Sequence, residues 1–142
     1  MEDFSDIAAH EFSFLSELGY REMERRSDRL KLENASFWIS IGWSRNDGEV
    51  WANFGFLPYD PLPAAKLTDR DLMSKVMGVT VEQLPPWSTL EVEKTRPLVS
   101  QLAANMRQHG MSLLRGDRAA YAELLQHRDR QAEERTRRHS RI

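Results

Sequence analysis

The stretch SFWISIGWSRNDGEVWANFGF, residues 36–56, constrains the fold more than any other part of the chain. Phe37, Ile39, Ile41 and Trp43 alternate with Trp38, Ser40 and Gly42. Val50, Ala52, Phe54 and Phe56 alternate with Trp51, Asn53 and Gly55. Period-two alternation among aromatic and β-branched residues is the pattern of a strand with one buried face. Between the two runs, Asn46-Asp47-Gly48 supplies residues that tolerate positive φ, as tight hairpins require. A turn centred on Asp47 and Gly48 predicts Ile41 opposite Phe54, Ile39 opposite Phe56 and Trp43 opposite Ala52, all on one face. Trp43 then belongs to the core or its rim. Trp38, Trp51 and Asn53 point the other way, either under the C-terminal helices or toward a partner.

The rest of the chain surrounds this hairpin with helices. Phe4, Ile7, Ala8, Phe14, Leu15 and Leu18 share a helical stripe, which predicts a helix over 4–18 stopped by Gly19, with Glu11 at its edge. Residues 20–33 are polar, with Leu30 and Leu32 alternating near the end. They suggest an edge strand around 28–33, where charges discourage pairing with other chains. The proline-rich 57–66 reads as a loop. Thr68 and Asp71 form a capping pair, with Leu67 and Leu72 at the staple positions, for a helix ending at Gly78. A connector with Pro85-Pro86 leads to a helix ending at His109, with Pro97 in its first turn. Asp117 caps a last helix that buries Tyr121, Leu124 and Leu125. The expected architecture is α+β: an N-terminal helix, a small antiparallel meander of about three strands, then three to four helices packed on the sheet. Residues 1–127 form one globular domain, and 128–142 are an Arg-rich helical extension or disordered tail.

Composition narrows the chemistry. The 142 residues contain no Cys, so disulfides, thiolate catalysis and Cys-held metal clusters are excluded. The histidines, His10, His109, His127 and His139, are scattered without metal-ligand spacing. No phosphate-binding glycine loop and no nucleophile elbow occurs. Asp60, Asp69 and Asp71 cluster near the proline loop but read as turn and cap residues. The net charge is −2; six Arg against three acids leave +3 on residues 128–142 and −5 on the remainder. Such a balance argues against nucleic acid as the main partner. The acidic, leaderless N-terminus and the absence of a long apolar run suit a soluble cytoplasmic protein. No catalytic, cofactor-binding or metal-binding residues are assigned.

Three landmarks stand in order along the chain: EFSFLSELGY with its Gly19-Tyr20 pair, the hairpin end EVWANFGF, and LLRGDRAAYAELL with Leu113 to Asp117 as an L-L-x-G-D element. Together they resemble a family of small, uncharacterised bacterial proteins, which in turn resemble immunity-like proteins of polymorphic toxin loci. The resemblance implies a non-enzymatic module that neutralises a partner protein by binding it, and it supplies no catalytic residues. Trp38, Trp51 and Asn53 are the candidate partner-binding residues, since interfaces favour a mixed aromatic and polar face. A second copy of the chain is another candidate partner. Two further readings stand beside this one: a nucleic-acid-associated regulator using the Arg-rich tail, and an enzyme with a site assembled from scattered residues.

Overall fold

The computed structural model describes residues 2–62 and 66–140. It is α+β, with a five-stranded antiparallel sheet in the order β1-β2-β3-β4-β5. The strands are β1 (Arg21–Arg26), β2 (Arg29–Glu33), β3 (Phe37–Trp43), β4 (Val50–Phe56) and β5 (Leu67–Thr68). The helices are α1 (Phe4–Glu11), α2 (Asp69–Met77), α3 (Thr95–His109), α4 (Met111–Leu114) and α5 (Arg118–Ser140).

The β3–β4 hairpin keeps the expected faces but not the expected register. Phe37 pairs with Phe56, Ile39 with Phe54, Ile41 with Ala52 and Trp43 with Val50. The cause is the turn. Ser44 N–H donates to Glu49 O at 2.8 Å, extending the ladder, so the loop is the four residues Arg45 to Gly48 and not two. A shift of two residues leaves every side chain on its own face, so alternation alone does not detect it. Gly48 holds φ 74°, and a Cβ there would sit 2.5 Å from Thr89 O, so both backbone angle and space require glycine.

The sheet also has more strands than the pattern suggests. The charged run Arg21–Arg26 is the edge strand, and 29–33 lies inside the sheet, between β1 and β3. An edge strand paired on one side buries little and need not alternate, so its sequence carries no strand signal. Leu30 and Leu32 of β2 are buried at 0% and 7% exposure, which fits an interior strand. The two-residue β5 begins at Leu67, after the segment expected as a proline loop, of which residues 63–65 lie outside the described residues.

The first helix is shorter than its stripe. After α1, capped by an Asp3–Asp6 box, the chain tightens into a 3-10 segment over Ser13–Leu18. Three residues per turn place Phe12, Leu15 and Leu18 on one side, and Phe12 and Leu15 are buried. The other signals match the structure. Thr68 and Asp71 form a reciprocal capping box at α2, and Gly78 ends it. Pro97 lies in the first turn of α3. Asp117 Oδ1 accepts from Ala120 N–H at 3.1 Å at the start of α5, which then runs unbroken to Ser140.

Helices cover one face of the sheet. Phe4, Ile7 and Ala8 of α1 and Val99, Leu102 and Met106 of α3 join Leu30, Ile39, Ile41 and Phe54 in a single core. Trp43 sits at its rim, stacked on Phe4 with ring centroids 6.1 Å apart. Tyr20 donates to Leu114 O at 2.7 Å, tying the N-terminal segment to α4.

The outer edge of β4 is closed by three different segments. Val50 N–H donates to Trp87 O at 2.9 Å, and β5 pairs with Asn53 and Phe54. Between them Ala52 N–H donates to Asp69 Oδ1 at 3.0 Å. Asp69, expected as a turn or cap residue, is thus a side-chain substitute for a missing strand residue. It is 3% exposed, and burial pushes its carboxyl from the ordinary 3.8 up to about 6, against the Ala52 N–H and Arg70, which favour the charged form.

Asp69→Ala leaves the Ala52 N–H unpaired and should cost about 1–3 kcal/mol in denaturant unfolding. Asp69→Asn keeps an acceptor. The folded pKa lies above the unfolded one, so the folded state binds the proton more tightly. The wild type should gain stability relative to Asp69→Asn as pH falls from 7 to 4, by on the order of 2 kcal/mol. A difference independent of pH would show that the carboxyl does not titrate in this window.

Candidate functional site

The outer face of the sheet is a grid set by strand pairing. One row runs Glu24–Lys31–Ser40–Asn53–Thr68 across all five strands. On one side of it lies Arg29–Gly42–Trp51, on the other Glu33–Trp38–Gly55. Each tryptophan therefore faces a glycine across the ladder, with small Ser40 between. Large walls beside absent side chains make a hollow of about 230 Å³, floored by Ser40 and Asn53 and walled by Trp38, Trp51 and Tyr59. Arg29, Lys31 and Lys66 stand at its rim. Gly42 has a specific reason to be glycine: a Cβ there would lie 2.1 Å from Trp51 Cζ2, so the indole rests on the bare backbone.

Trp38 does not present an open surface. It is 3% exposed, and the cover is not a C-terminal helix but Tyr59, from the loop after β4, edge-on at 5.0 Å. Trp51 and Asn53 are half-buried and line the same hollow. The structure thus brings the three candidate residues together, with Trp38 as a wall and Trp51 and Asn53 accessible.

Electrostatics distinguish this face from the rest of the acidic body. Lys31 Nζ lies 4.2 Å from the Tyr59 ring centroid and 5.8 Å from that of Trp38. Lys66 Nζ lies 5.4 Å from the same Tyr59 ring. Two ammonium groups therefore share one aromatic ring. Lys31 has a loose partner in Glu33 at 3.8 Å; Lys66 has no carboxylate in ion-pair range among the described residues. Glu24 is bound to Arg29 at 2.8 Å, and that hydrogen bond holds its carboxyl below the usual range.

The hollow contains a hydroxyl, an amide, cations and aromatic faces but no histidine, and its one carboxylate is occupied by arginine. Such a set binds an anion or a planar group; it has no base placed to activate Ser40. A Ser–His contact exists elsewhere: His127 Nε2 is 3.0 Å from Ser74 Oγ. Ser74 is fully buried and donates to Val79 O at 2.5 Å, so the contact ties α5 to α2. Burial, with Arg130 and Lys75, lowers the pKa of His127. Among the described residues no three of His, Asp and Glu gather in a group able to hold a metal ion, and no helix is long and apolar enough to cross a membrane.

Comparison of the chain with protein-family models, with curated proteins and with solved structures gives no match.

Sequence reasoning missed Arg29, Lys31, Tyr59 and Lys66. The first two were legible, because RLKLE alternates and places Arg29 and Lys31 opposite the buried leucines. Tyr59 and Lys66 lie on a loop whose path no periodicity reveals.

Gly42→Ala forces the Trp51 indole off the sheet. It should cost about 1–3 kcal/mol and shift tryptophan emission. In a Trp51→Ala background most of that cost should vanish, and a double-mutant cycle measures it. An equal cost in both backgrounds would mean that the glycine answers to something other than Trp51.

Proposed function

We propose that the protein is a non-enzymatic protein-binding module of the immunity-like kind, and that it holds an acidic segment of its partner on the outer face of the sheet. The observation that carries this reading is the pair of ammonium groups, Lys31 and Lys66, on the Tyr59 ring beside two tryptophans. Both ammonium groups line the same hollow, so an anionic group seated in it is attracted to both. Tyr59 is 45% exposed, so its ring is available to a partner as well as to Trp38. Interface hot spots are enriched in Trp, Tyr and Arg, and the hollow is lined by Trp38, Trp51, Tyr59 and Arg29.

The basic tail supports the nucleic-acid reading less. Arg135 pairs with Glu82 at 2.5 Å, Arg137 lies 3.8 Å from Glu133, and Arg128 donates to Lys66 O at 2.7 Å. These arginines hold α5 to the body or to itself and offer less charge to a phosphate backbone.

A photo-crosslinking amino acid at position 59, with position 108 on α3 as control, tests the reading in cells of the source organism. The expected result is a crosslink from 59, not from 108, to an acidic segment of one protein. Lys31→Glu with Lys66→Glu should weaken binding to that protein at least tenfold, and added salt should weaken the wild-type complex. Crosslinks from 108 alone, self-crosslinks alone, or binding indifferent to the double reversal would overturn the proposal. A bound partner that keeps its full activity would remove the immunity-like part only.

A further inference from the structure

A second cavity, of about 220 Å³, lies between α2, the connector after it and the face of α3. Its apolar walls are Met73, Met77, Leu84 and Trp87, and its polar side is Gln101 and Asn105. Nothing in the protein-binding reading uses it.

The cavity is held open by the backbone around it. Arg70 donates to Val81 O at 2.9 Å, Leu84 O at 3.1 Å and Pro85 O at 3.1 Å, so one guanidinium clamps the connector to α2. Trp87 is fixed through its carbonyl, which accepts from Val50 N–H. A pocket whose walls are pinned in this way is preformed, as small-molecule sites usually are.

The polar side carries a donor and an acceptor that no other described residue uses. Gln101 Nε2 donates to Asn105 Oδ1 at 2.9 Å. That bond leaves the Asn105 NH₂ and the Gln101 carbonyl without partners among the described residues. If both amides were turned over, the free groups would exchange places, but one donor and one acceptor would still remain. Asn105 is only 7% exposed, and no fully buried side-chain N or O lacks a partner among the described residues. Its free amide group is therefore the part that reaches the surface, and that surface is the cavity.

We infer that this cavity is a binding site for a small, neutral molecule with an apolar body and an amide-like edge, a carbonyl beside an N–H. The edge matches the free donor and acceptor of Asn105 and Gln101, and the body matches the methionine, leucine and tryptophan walls. Neutrality follows from the charges already present. Arg70 and Asp69 bring one charge of each sign to the lining and interact with each other, so the space has no net charge with which to hold an ion. The volume is below the roughly 300 Å³ at which drug-sized pockets begin, so the ligand is small.

The test is a titration of the isotope-labelled full chain with benzamide, toluene and benzoate, followed through the Asn105 side-chain NH₂ and the Trp87 indole N–H signals. Benzamide should shift both saturably in the millimolar range, with toluene and benzoate at least fivefold weaker. Asn105→Leu and Gln101→Ala should each weaken benzamide at least threefold and leave toluene unchanged; Gln101 is exposed, so its variant keeps the fold. Lys31→Glu with Lys66→Glu should leave benzamide binding intact, which separates this site from the sheet face. Toluene or benzoate binding as well as benzamide, variants without effect, or no saturable shift up to the solubility limit would each overturn the inference.

Discussion

The ladder between β3 and β4 is the constraint on which the rest depends. It places Ile39 beside Phe54 and Ile41 beside Ala52 on the covered face. The same pairing places Gly42 beside Trp51 and Trp38 beside Gly55 on the other. One set of backbone hydrogen bonds thus builds the core and the hollow together. Side chains alternate across a strand, so a slip by one residue would drive the tryptophans into the core and the core residues into water. Burial forbids that slip, and the tryptophan–glycine pattern on the outer face is held by the same force that packs the inner one.

The outer edge of β4 shows how an irregular connection is made stable. No single strand closes it. A carbonyl from the connector, a buried carboxylate from the first turn of α2 and a two-residue strand each take part of the edge. Buried N–H groups need partners, and here three separate segments provide them. The connector is pinned at several further points. Arg70 holds its first half, and Trp43 Nε1–H donates to Thr89 O at 2.8 Å at its far end. These polar ties fix the connector that forms one wall of the second cavity.

The legible parts of this chain were those with local causes. The capping box at Thr68 and Asp71, the stop at Gly78, Pro97 in a first turn and Asp117 at the start of α5 all act within a few residues, and all appear where the pattern places them. The faces of β3 and β4 were legible for the same reason. The turn was not. Four loop residues and two give the same parity, so the register differs by two while each side chain keeps its face. The edge strand β1 was hidden because an exposed edge imposes no alternation, and α1 was overlong because its stripe continues through a 3-10 segment in which Leu15 is buried and Phe14 and Leu18 are partly buried.

By itself the sequence determined that this is an α+β chain, which residues line each side of its central hairpin, and that cysteine chemistry is absent. Those follow from periodicity and composition, which are local. Only the tertiary structure decided that Tyr59 covers Trp38, that Lys31 and Lys66 meet on one ring, and that Asp69 serves as a strand edge. Each of these joins segments through a loop or connector. The path of such a segment is set by where its backbone groups find partners and its side chains find space, and neither leaves a period in the sequence.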